Sequence, residues 1–134
     1  MIKDAPAFLS FLDDVRNRSL SDWLEAHTSL MQPLHRYKGH LSLDREKLSF
    51  FGNEKKTGNE LRINIYRYEI LQLYLGFDDA FTIMESRNLG LLWKPFRIIF
   101  TKESQEYQIY LIINYSIGRC DNEMWMEILK EWLG

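Results

Sequence analysis

The sequence predicts a β-rich α+β fold: a seven-stranded, mostly antiparallel bent sheet or barrel capped by a C-terminal helix, with two short helices ahead of it. Three observations lead there. From Tyr37 onward, apolar and polar residues alternate through most of the chain, the period of a half-buried strand. The last stretch changes to the spacing of an amphipathic helix. Aromatic residues make up 14% of the 134 residues, and bulky side chains of that kind favour a pleated surface. A hydrophobic share of 46% at this length supplies one core, so a single domain over 1–134 is expected.

Residues 1–32 read as a helical element. Asp4 stands where a cap would, Pro6 falls in the first turn, and Phe8, Phe11, Leu12 and Val15 share one helix face before Arg16 and Arg18. Ser19-Leu20-Ser21-Asp22 then matches a capping box, and Leu20, Trp23, Leu24, His27 and Met31 lie on one face ahead of Pro33.

The strands follow. Leu41 and Leu43, then Leu48 and Phe50, alternate with polar residues on either side of an Asp44-Arg45-Glu46 turn. After the polar loop 53–60, Leu61, Ile63 and Ile65 form a third strand, and Leu71, Leu73 and Leu75 a fourth that ends at Gly76. A short fifth strand is expected around Phe81 and Ile83, with a loop over 85–90. Pro95 cannot donate to a ladder, which places it at the start or edge of the sixth strand, Phe96 to Phe100. Tyr107, Ile109, Leu111, Ile113 and Tyr115 make the longest clean alternation, the seventh. Asp121 caps the final helix, whose Trp125, Ile128, Leu129, Trp132 and Leu133 form its apolar stripe.

Seven strands with a terminal helix, the break at Tyr68-Glu69-Ile70 within Leu61 to Gly76, and the aromatics Trp125 and Trp132 together resemble the pleckstrin-homology-like superfold, with its bacterial and GRAM-like members, over about residues 37–133. The resemblance implies a non-catalytic module that recognises a phospholipid head group, a peptide or another protein subunit. It also implies that head-group binders carry clustered basic residues at the first hairpin. Asp44-Arg45-Glu46-Lys47 alternates in sign instead.

Charge and composition narrow the function. Seventeen Lys and Arg against 19 Asp and Glu give a net charge of −2, so the basic excess that drives nucleic-acid binding is missing. The single Cys120 suits a reducing compartment, and neither a leader nor a long apolar run is evident, so a cytoplasmic protein is expected. His27, His35 and His40 lack metal-ligand spacing, and the glycines make no phosphate loop, so neither a metal nor a cofactor is expected. Asp13-Asp14 and Asp78-Asp79 read as turn or cap acids rather than an acid-base pair, and no catalytic residue is assigned.

Cys120 beside Arg119, just ahead of a helix, has the setting of a lowered thiol pKa, although an inert Cys is the plainer reading. One group has binding chemistry. Arg87, Trp93, Lys94 and Arg97 combine charge with an aromatic, as an anionic surface would require; the plainer alternative is solvated charges beside a core Trp. Lys55 and Lys56 are a weaker pair, flanked by Glu54 and Glu60.

The expected function is therefore a binding or scaffolding module, not an enzyme, with a protein partner ahead of a peripheral anionic membrane and with homo-oligomerisation open through the N-terminal helices. The alternative is a small α+β enzyme or ligand-binding cone that encloses a pocket.

Overall fold

The computed structural model describes residues 3–17, 33, 35–82, 93–116 and 118–134. Seven strands are present: β1 (Lys3–Phe11), β2 (Tyr37–Leu43), β3 (Lys47–Glu54), β4 (Glu60–Tyr66), β5 (Ile70–Leu75), β6 (Phe96–Lys102) and β7 (Gln105–Ile113). Two helices lie among the described residues, α1 (Leu12–Arg16) and α2 (Asn122–Leu133), and a 3₁₀ turn covers Arg67–Glu69. The strands form one antiparallel sheet in the order β4-β3-β2-β1-β7-β6-β5.

The first predicted helix is a correction: residues 3–11 are the central strand. Ala5, Ala7 and Leu9 are buried on one face while Phe8 and Ser10 are buried on the other, so the period-2 signal is masked and a helical spacing emerges by chance. Pro6 is tolerated because the ladder to β7 begins only at Ala7, while the ladder to β2 spans Lys3 to Leu9. Helix begins one residue past the strand, where the Asp14 carboxylate accepts the Phe11 N–H at 2.8 Å. The second predicted helix, at 20–31, lies outside the described residues.

The predicted fifth strand is the other correction. Asp78 Oδ1 accepts the N–H groups of Ala80 and Phe81, and Asp78 N–H donates to the Phe81 carbonyl, which makes a tight turn. Phe81 is the buried anchor of that turn, and Ile83 lies outside the described residues. The count of seven survives because β1 replaces this strand.

Sequence order and sheet order conflict at one place, and the conflict shapes the fold. Strands β4 and β5 are consecutive in sequence yet occupy opposite ends of the sheet, joined only by Arg67–Glu69. Three residues span about 10 Å, so the two outer strands must approach each other and the sheet curls into a half-barrel. Glu69 pins the corner, accepting the Tyr66 N–H at 2.9 Å and the Lys102 ammonium at 2.6 Å.

A close backbone approach lies between β2 and β3, where Gly39 faces Gly52. A Cβ on Gly39 would collide with the Phe51 carbonyl and lie 2.5 Å from the Gly52 Cα, so both positions require the missing side chain.

The inner face holds Leu9, Leu41, Phe50, Phe96, Ile98 and Leu111, among others, and α2 closes it with Trp125, Leu129 and Trp132. Of the predicted stripe, Leu133 is exposed. The helix is fastened at both ends. Asn122, 1% exposed, accepts the Ile113 N–H and donates to the carbonyls of Leu111 and Lys94. Trp132 Nε1 donates to the Asp44 carbonyl at 2.8 Å in the β2–β3 turn. Asp121 stands at the cap position, but its carboxylate accepts from the Asn114 side chain instead of capping. A second core on the outer face gathers Phe8, Val15, Phe81, Trp93, Tyr110 and Ile112. No helix among the described residues is long and apolar enough to cross a membrane.

Candidate functional site

Four strands meet where the arms of the curled sheet converge. Phe11 at the end of β1, Arg62, Ile63 and Asn64 on β4, Phe100 and Lys102 on β6, and Tyr107 on β7 line a cleft of about 310 Å³. No α2 residue contributes to it. Curling brings these residues together: β4 is the first strand of the sheet and β6 the last but one.

The walls are aromatic and rigid. Phe100 and Tyr107 stack with centroids 5.6 Å apart, and Phe11 meets Tyr37 edge-on at 6.0 Å. The rim is basic. The Arg62 guanidinium lies 4.6 Å from the Phe51 centroid, and Lys102 sits 5.0 Å from the Tyr66 centroid while bonded to Glu69. Asn64 accepts the Ser49 hydroxyl through its Oδ1 at 2.8 Å, on the face of β4 opposite Ile63. The result is an apolar slot formed by Phe11, Ile63, Phe100 and Tyr107, with Lys102, held by Glu69, at its mouth. That chemistry suits an apolar group.

The sequence-predicted patch is dispersed. Trp93 is 6% exposed, packed edge-on against Phe81 at 6.0 Å and tilted against Phe77 at 5.6 Å, so it presents no stacking face. Arg97 is engaged: it donates to Asp78 at 2.9 Å and Gln72 at 2.6 Å and lies over the Tyr74 ring at 4.5 Å. Lys94 is exposed at the approach to β6, and Arg87 lies outside the described residues. Lys55 and Lys56 are exposed in the β3–β4 turn, with three strands between β3 and β6. The structure therefore does not unite these residues in one surface.

Arg97 instead belongs to a polar network on the outer face. Asp78 Oδ2 accepts from both Arg97 and the Tyr110 hydroxyl, and Tyr110 accepts from Gln108 at 2.7 Å. Burial works to raise the Asp78 pKa, but the bonds from Tyr110, Phe81, Arg97 and Ala80 outweigh it and hold the carboxyl below its usual range. Burial first, and then the bond to Asp78, push the Tyr110 phenol well above its usual value. The network fastens the turn 78–81 to the sheet.

His35 and Cys120 also titrate unusually, and neither lines the cleft. His35 is 5% exposed, stacked on Phe8 at 3.9 Å, with Nδ1 against the Pro33 carbonyl at 2.8 Å and Nε2 unpartnered among the described residues. Burial pulls its pKa down to about 4. Cys120 corrects the lowered-thiol setting read from its neighbours: burial pushes the thiol up, so it is a poor nucleophile. Among the described residues, no three His, Cys, Asp or Glu side chains converge as a metal site.

Sequence reasoning missed the cleft because its residues come from four strands with no common spacing. Comparison of the chain with protein-family models, with curated proteins and with solved structures finds no match.

Proposed function

We propose that the protein is a non-catalytic binding module of pleckstrin-homology-like fold that holds a protein partner in the cleft between the arms of its sheet. The composition of the cleft carries the reading: aromatic walls of Phe11, Phe100 and Tyr107 together with Ile63 suit an apolar side chain of a partner. Rigid aromatics and arginine are the residue types that concentrate binding energy at protein interfaces. The displaced titrating groups lie elsewhere, which favours recognition over acid-base chemistry. Seven antiparallel strands closed by one helix support the fold resemblance, which would now begin at Lys3 rather than Tyr37. The lone, half-buried Cys120 favours the cytoplasm.

The test places a photo-reactive residue at Arg62 and, separately, at Glu127 on the exposed face of α2, in the source cell. A specific protein adduct is expected at 62 and not at 127, and Ile63→Asp in the same chain should abolish it. Equal adducts at both positions, or vesicles of anionic lipid binding the wild type but not Ile63→Asp, would overturn the reading.

A further inference from the structure

The second core covers the outer face of the sheet over β1 and β7, and no residue of β2, β3 or β4 belongs to it. On that uncovered part the register builds a cross-strand row. His40 on β2 faces Phe51 on β3, which faces Arg62 on β4, three planar side chains that are all exposed. Phe51 is 42% exposed in mid-sheet, with the Arg62 guanidinium 4.6 Å from its centroid. The next row is Ser42, Ser49 and Asn64, and the one after it pairs Lys47 with Tyr66. Charge is segregated between the two sides of the sheet. On the inner side, α2 exposes Glu123, Glu127 and Glu131 against Lys130. The bare outer face carries Lys38, Lys47 and Arg62 against Glu60 and Asp4, and none of the three cations is in an ion pair among the described residues. Lys55 adds to it, since Lys38 and Lys55 both lie close enough to the His35 ring to oppose its protonation. The net charge of −2, which argued against nucleic acid, conceals this basic face.

We propose that this face binds single-stranded nucleic acid, with a base stacked on the Phe51–Arg62 pair and phosphates held by Arg62, Lys38 and Lys47. Every base has a π-face, so an aromatic ring backed by a guanidinium offers a sequence-tolerant platform. The hydroxyls of Ser42 and Ser49, one row or about 7 Å along the strands, supply polar partners for the edge of a neighbouring base. Flatness selects this occupant over other anions. A duplex admits a helix or a two-stranded ribbon into its major groove, not the face of a sheet. A bilayer takes up apolar groups that protrude together, and Phe51 is a single ring between paired neighbours. An acidic peptide adds to a sheet through an open edge, and both edges of β3 are paired.

The cleft's Ile63 points to the other face of β4, so this binding stands or falls independently of the proposed protein partner. Fluorescence anisotropy of a labelled, mixed-sequence strand of about 12 nucleotides tests it on the full chain, at low and at moderate salt. The wild type should bind with an affinity that falls as salt rises. Phe51→Ala and Phe51→Leu should each weaken binding by about tenfold, whereas Phe51→Tyr should keep it, with circular dichroism confirming the fold of every variant. Lys38→Gln should lower the salt slope by about one, while Lys130→Gln on α2 should change neither slope nor affinity. Absence of binding at low salt, a Phe51→Leu protein that binds like the wild type, or equal effects of Lys38→Gln and Lys130→Gln would each overturn the proposal. So would a duplex or heparin held as tightly as the single strand, since charge alone would then account for binding.

Discussion

Acidification should unfold this protein earlier than its carboxylates alone require, because His35 is buried in its neutral form. Its folded-state pKa is about 4 against 6.5 for a free imidazole; burial is the chief cause, opposed by the Pro33 carbonyl and reinforced by Lys55 and Lys38. With the folded value below the unfolded one, the unfolded chain binds more protons between those pH values, so stability falls as pH falls. Each tenfold difference in proton affinity between the two states is worth about 1.4 kcal/mol. The loss therefore begins near pH 6.5, reaches about 2 kcal/mol at pH 5 and levels off at about 3 kcal/mol below pH 4.

Urea unfolding from pH 7.5 to 4.5, followed by tryptophan fluorescence, measures this directly. His35→Phe keeps a ring against Phe8 and removes the titration, so its stability should vary less over that window by about the same 2 kcal/mol. An identical pH slope in wild type and His35→Phe, or an imidazole pKa above 6 by NMR, would refute the reasoning. Asp78 acts in a different window: its pKa is held low, so its contribution is present above its unfolded value and lost only as pH falls further.

Other perturbations have defined outcomes. Asn122→Ala strands the buried Ile113 N–H and Leu111 carbonyl and the partly buried Lys94 carbonyl and should cost about 3 kcal/mol in chemical denaturation, more than Asp121→Ala, whose carboxylate makes no cap bond. Gly39→Ala forces β2 and β3 apart and should cost about 2 kcal/mol or more; an unchanged melting temperature would show that the close approach accommodates a methyl group. Asp78→Asn should loosen the 78–81 turn, seen as faster amide exchange at Ala80 and Phe81 while the β2–β3 ladder stays protected.

The sequence disclosed the strands whose polar and apolar residues alternate and hid β1, whereas β7 stayed legible although both its faces are buried from Ile109 to Ile113. Strands β2, β3, β4 and β6 show the alternation that places Leu41, Phe50 and Ile98 inward, and α2 shows its stripe because water covers its far side. β1 lies mid-sheet under a second core, so Ala5, Phe8 and Leu9 are all buried and the pattern blurs into a false helix. Phe81 misled for a related reason: a lone buried aromatic in a turn resembles a fragment of strand. The candidate patch failed because charge and aromaticity along the chain do not show that Arg97 answers Asp78 or that Trp93 faces inward. The cleft depends on long-range closure, which no local window contains.

The placement of β1 between β2 and β7 also bears on how the chain reaches this structure. The earliest strand in sequence finds one of its two neighbours in the last, so the sheet cannot be completed until nearly the whole chain is available. Contacts so distant in sequence slow the search for the native state. On the ribosome, β2, β3 and β4 can assemble on β1 early, leaving its other edge open. The arrival of β7 then closes the sheet and brings α2 directly behind it to seal the core.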